Sequence, residues 1–160
     1  MTDGGISRFV YVTYIRTTPA RLWSALTSQE FARQYWRGAY PETDWKIGGS
    51  WKLIYPDGRV CDSGQIVAFE PCKRLGIRWR NEFRPELKAE GWSLCTMEID
   101  PVGEAVKLTV THSMECEGAK FIDAVSDGWP QILSNLKSLL ETGAVVLGPK
   151  ELPKRPKEKS

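Results

Sequence analysis

One histidine, four cysteines and a scatter of carboxylates are the side chains here that could carry chemistry. His112 ends the run "VKLTVTH", in which Val106, Leu108 and Val110 fall on the same side of an alternating strand. An imidazole titrates near neutral pH. At that place it can act as an acid, a base or a hydrogen-bonding group inside a cavity; the other reading is a strand-end histidine satisfied by a neighbouring carbonyl. Cys61, Cys72, Cys95 and Cys116 lie far apart with no C-x-x-C spacing, and one histidine cannot complete a usual Cys/His zinc set, so neither a metal nor any other cofactor is expected. No serine or cysteine has a partner other than His112, and no strand–turn–helix elbow surrounds a serine. Glu98 and Asp100 alternate with Met97 and Ile99 and are expected to face solvent, as is Glu82. Asn81 shares the parity of Trp79 and is placed at a cavity mouth. No two carboxylates form an acid–base dyad, so no catalytic residue is assigned. The stretch "GAVVLGPK" (143–150) misses a phosphate-binding loop. It follows a helix rather than a strand, Pro149 stands at the lysine position, and no Ser or Thr follows Lys150.

These residues must be positioned by elements the pattern reveals. "SRFVYVTYIR" (7–16) alternates as a strand. In "TTPARLWSALT" Thr18 is an N-cap, Pro19 the first helical residue, and Leu22, Trp23 and Leu26 a stripe. Thr27 with Glu30 reads as a capping box opening a second short helix. From Trp45 to Ser113 the alternation is that of antiparallel strands, with turns at "PDG", at 70–73 and at "DPVGE". No β-α-β alternation occurs, which argues against a parallel nucleotide-binding sheet. From near Gly118, Ile122, Val125, Trp129, Ile132, Leu133, Leu136 and Leu140 recur at spacings of three and four, so one long apolar-faced helix closes the fold at Gly143. Pro130 predicts a bend or restart near 126–128. The fold class is therefore α+β: a curved antiparallel sheet around a long C-terminal helix, one domain over 1–143, then a basic, proline-rich disordered tail over 144–160.

A strongly curved sheet gripping one helix leaves space between them. Trp51, Tyr55, Trp79, Met97 and Trp129 point toward that space, with Asn81, His112 and Leu133 completing a candidate ligand-binding set. The same bulky rings can instead fill the interior. Net charge is +2, too small to argue for nucleic acid. No run approaches the 18 or so apolar residues of a membrane span, and no signal peptide is visible, so a cytoplasmic protein with reduced thiols is expected.

"TTPARLWSALTSQEFARQYW" resembles the start of the domain shared by activators of the Hsp90 ATPase and their bacterial relatives, through Pro19, Trp23, Ala25, Leu26 and Thr27. Gly48 and Gly49 before a strand, Gly64, Ile66, Glu70, Pro71 and Leu75, the "LTVTH" strand, and Gly128, Trp129, Leu133, Leu136 and Leu140 follow in the family's order over about 8–142. The resemblance implies the helix-grip fold of the START-like superfamily. Relatives on that fold carry lipids, polyketides or plant hormones, and some are cyclases. The eukaryotic Hsp90 activator has a further N-terminal domain; here about seven residues precede the first strand.

Three functions follow as expectations. The first is binding of a small hydrophobic or amphipathic molecule by a carrier or sensor. The second is a protein-interaction module such as a chaperone cofactor, using an outer face with Lys52, Arg78, Arg80 and Lys107. The third is a cyclase or hydrolase with His112 as acid or base. A monomer and a homodimer paired through sheet edges both fit the pattern.

Overall fold

The computed structural model describes residues 5–149. Strand β1 (Ser7–Ile15) leads into helices α1 (Pro19–Leu26) and α2 (Gln29–Tyr35). Strands β2 (Tyr40–Thr43), β3 (Ser50–Ile54), β4 (Val60–Glu70) and β5 (Arg74–Asn81) follow, then a one-turn helix α3 (Pro85–Lys88), β6 (Ser93–Val102), β7 (Ala105–Met114) and the long helix α4 (Lys120–Thr142). The strands form one antiparallel sheet in the order β1-β7-β6-β5-β4-β3-β2. It is the α+β architecture of a curved sheet holding a C-terminal helix.

Strand alternation decides which side is core. On β7, Val106, Leu108, Val110, His112 and Met114 are buried while the residues between them are not. Register shifts between Leu53 and Ile54 and between Ile66 and Ala68 bend β3 and β4. At Gly64 the strands come so close that an added Cβ would sit 1.7 Å from the Arg78 carbonyl oxygen. Trp51, Gly64 and Trp79 form one row across β3, β4 and β5, and over the missing side chain the two indoles meet at 4.4 Å between centroids.

Thr18 caps α1 by accepting from Arg21 N, with Pro19 in the first turn, as the pattern predicts. The cap of α2 is Ser28, which accepts from Phe31 N, and not Thr27, whose hydroxyl donates back to the Trp23 carbonyl. Two elements were missed: β2, which begins before Trp45, and α3. Both are four residues long, too short for a period to register.

Helix α4 runs through Pro130 without a restart. Trp129, Ile132, Leu133, Leu136 and Leu140 are buried along one face on both sides of the missing N–H, which keeps the helix continuous there. Gly143, at φ 85°, ends it in the left-handed conformation. At that end Lys137 Nζ donates to the Tyr14 carbonyl and, at 2.8 Å, pairs with Glu141, whose carboxylate also accepts from Arg16 N. The chain beyond 143 does not leave the domain at once. Asn135, fully buried, accepts from Val146 N and Leu147 N and donates to the Leu147 and Tyr35 carbonyls. Of the tail expected over 144–160, residues 150–160 lie outside the described residues. No described helix is long and apolar enough to cross a membrane.

Candidate ligand cavity

Helix α4 does two jobs along its length. Leu133, Leu136, Leu139 and Leu140 in its second half are buried in the core. Its first half, from Phe121 to Ile132, roofs a cavity of about 260 Å³ whose floor is the inner face of β3, β4 and β5. Trp36, Trp79, Trp129 and Phe121 form much of the wall, with Leu53, Leu87, Val125 and Ile132. Trp129 meets Trp36 and Trp79 edge-on at 5.3 and 5.8 Å between centroids.

The polar part of the wall is small. Asp62, on β4, is 5% exposed; its carboxylate accepts from Asn81 Nδ2 at 2.9 Å and from Cys61 Sγ at 3.2 Å. Asn81 in turn accepts from Arg84 N at 2.7 Å. Burial pushes the Asp62 carboxyl up to about 6, against the pull of donors on Cys61, Asn81 and Trp79; the nearby Glu82 charge adds to the rise. The buried Trp79 indole N–H exerts its pull without making a hydrogen bond to any acceptor. Burial first, then Cys61 and Asp62, raises the Tyr55 hydroxyl well above its ordinary value. Arg37 and Arg84 also border the cavity. Arg37 is held by the Gly148 carbonyl and Gln131 Oε1, both at 2.9 Å, and Arg84 by Glu86 at 2.8 Å.

Of the residues named from the sequence, Tyr55, Trp79, Asn81 and Trp129 line this cavity. Trp51, Met97, His112 and Leu133 do not: all four are buried in the core, Trp51 against Trp79 and His112 between Trp79, Trp129 and Phe121. Both nitrogens of His112 are engaged. Trp129 Nε1–H donates to Nδ1 at 3.1 Å, which leaves the proton on Nε2 to donate to Ser93 Oγ at 2.8 Å, and Ser93 donates onward to the Trp79 carbonyl at 2.7 Å. Burial holds the imidazole down to about 3. A neutral, fully enclosed ring with both nitrogens occupied has no proton to exchange with a substrate. It pins α4 to β7, β6 and β5 through one hydrogen-bonded chain.

Asp62 was passed over, although it shares the parity of the inward Gly64 and Ile66; the alternation of "CDSGQI" was the signal available. Ser93 and Asn135 were missed as well. Glu98 and Asp100 are exposed, as expected, and Glu82 is ion-paired with Arg80 and Lys88. Among the described residues no cluster of three or more His, Cys, Asp or Glu side chains could hold a metal.

Comparisons with solved structures bear on the fold. Protein MLL2253 from Mesorhizobium loti matches with a TM-score of 0.71 at 21% identity, over 84% of this chain and 96% of that one. The Aha1 dimer from Colwellia psychrerythraea matches at 0.70 and 18%, over 86% and 98%. PFC0360w, an HSP90 activator from Plasmodium falciparum, matches at 0.68 and 22%, over 83% and 95%. No curated protein matches. At these identities the likeness establishes the shared helix-grip architecture. The model of one family, "Activator of Hsp90 ATPase homolog 1-like protein", matches residues 16–141, and with so much of the sequence matched the chain belongs to that family.

Proposed function

We propose that this protein binds a compact hydrophobic or amphipathic molecule between the sheet and the first half of α4, as a carrier or sensor. The observation that supports the reading is the cavity itself: about 260 Å³, walled mostly by aromatic and aliphatic side chains, with Asp62 and Asn81 as a polar pair on its floor and Arg37 and Arg84 at its border. Ligand pockets commonly enclose roughly 300–1,000 Å³, so a one- or two-ring compound fits better than a long acyl chain. Calorimetric titration with 2-methylnaphthalene tests it. One-to-one binding is expected in the wild type and should vanish in Val125→Trp, where the larger ring fills the cavity. Saturable binding that survives Val125→Trp, or none in the wild type, counts against the reading. No disulfide joins the four cysteines, which suits a cytoplasmic setting.

A second reading is favoured by the outer sheet face. Arg78 and Arg80 both stack over Trp92, at 4.8 and 4.4 Å from the ring centroid, and Trp92 and Leu94 are exposed. Such a patch suits an acidic protein surface, and the likeness to an HSP90 activator supports a chaperone as that partner. Stimulation of Hsp90 ATPase that is lost in the doubly substituted Arg78→Glu, Arg80→Glu protein would support it; no effect on the ATPase would remove it.

A further inference from the structure

A buried carboxylate without a cation is costly, because removing the charge from water is offset only by the hydrogen bonds it accepts. Asp62 is in this position. Among the described residues no ion pair includes it, and another acid, Glu82, which already answers to Arg80 and Lys88, adds to the cost of its charge. The two hydrogen bonds it accepts, from Asn81 and Cys61, leave further acceptor capacity on a carboxylate. Beside it the cavity presents the rings of Trp79, Trp36, Trp129 and Phe121, whose faces attract positive charge.

Resting on the cavity reading above, we propose that the ligand is a protonated amine on a compact apolar body, its ammonium paired with Asp62 and its body against the indoles. The other groups around Asp62 fit this. Just after β3 comes Tyr55, whose raised hydroxyl stays neutral across the pH range of the test; next to β4, Arg59, paired with Asp57 and stacked over Tyr55; from β4, Cys61; from β5, Asn81 and Arg80; and just after β5, Glu82, tied to Arg80. Helix α4 lines the cavity with no charged side chain, and Arg84 is paired with Glu86. Arg37, the remaining cation on the lining, is held toward Gln131 and Gly148. An anionic ligand would meet the Asp62 charge, and a neutral one would leave it uncompensated.

The test is a series with one body and four heads: 2-naphthylmethylamine, 2-naphthylmethanol, 2-methylnaphthalene and 2-naphthoate, titrated by calorimetry into the full chain. At pH 8 the amine is expected to bind at least about tenfold more tightly than the alcohol, the return of a charge-assisted contact. Because Asp62 titrates at about 6, that advantage should shrink roughly tenfold by pH 5, one unit below its pKa. Asp62→Asn is nearly isosteric and keeps an acceptor for Asn81. It should abolish the amine's advantage over the alcohol, both titrated into the same variant. Equal binding of amine and alcohol, or a preference for the carboxylate, overturns the proposal while the cavity reading stands. An amine advantage that persists in Asp62→Asn also overturns it. If no compound binds at all, both fail.

Discussion

Asp62 and His112 are both displaced from their ordinary titration by burial, and they act on stability with opposite sign. The folded His112 titrates at about 3 and the unfolded one near 6.5, so between those values the unfolded chain takes up the proton first. Its contribution is complete above 6.5 and is lost as pH falls toward 3. The folded Asp62 titrates at about 6 and the unfolded one near 3.8, so the folded chain keeps its proton longer, and stability from this site falls as pH rises through that window. The two slopes oppose each other between about pH 4 and 6. Asp62→Asn removes one of them. We expect the variant to be more stable than wild type by about 2 kcal/mol at pH 7.5, less than the roughly 3 kcal/mol that burying the charge costs, because its hydrogen bonds weaken. The gap should close below pH 4, and the variant should lose stability more steeply between pH 6 and 4. Urea unfolding at pH 7.5, 5 and 4 reads all three effects. A variant less stable at every pH would show that the carboxylate holds the fold rather than a ligand. The His112 tautomer is open to a separate check. Long-range ¹H–¹⁵N spectra should show the proton on Nε2 and no protonation down to about pH 4; a ring titrating near 6.5 would contradict the enclosed chain from Trp129 to the Trp79 carbonyl.

At the scale of elements, the long alternating strands and the closing helix were legible because each repeats its period many times: five inward residues on β7, nine buried on α4. Elements of four residues were not, and neither were residues that break a period's chemistry while keeping its geometry. Asn135 lies between Ile132 and Leu139 on the apolar face of α4, where a polar residue is out of place unless it serves backbone groups. Here it serves four, and they tie α2 and the segment after Gly143 to the helix. Asn135→Ala leaves the buried Tyr35 carbonyl and the part-buried groups of Val146 and Leu147 without this partner, and should cost about 1–3 kcal/mol in chemical denaturation. Because Val146 N and Leu147 N lose their acceptor, their amide exchange should rise to that of an open chain even where the rest of the domain stays protected. If these two amides keep their protection in Asn135→Ala, the segment is held by something other than Asn135.

For the molecule as a whole, a helix lying across a curved sheet has two uses for its apolar stripe, and α4 divides them: core in its second half, roof in its first. That a concavity would lie under the helix followed from element order. Where it would lie did not, because side-chain size decides it. Trp51, Trp79, Trp129 and His112 pack into one another and close the middle of the fold, so the remaining space is displaced toward β3, β4 and the start of α4. Residues assigned to the cavity by periodicity alone, Met97 from its strand and Leu133 from its helix, are thereby absorbed into core. An interior that keeps such a space gives up the dispersion contacts that would fill it, so filling it should stabilise the fold and remove binding together. Ala124, on the roof, is the position for that test. Ala124→Leu is expected to raise stability by about 0.5–2 kcal/mol while weakening 2-methylnaphthalene binding. Thermal unfolding and calorimetry on the same samples measure both. A gain in stability with binding unchanged would put the ligand elsewhere. A loss of stability would mean that the roof cannot accept the added volume, and that the space beneath α4 is already closed by its own side chains.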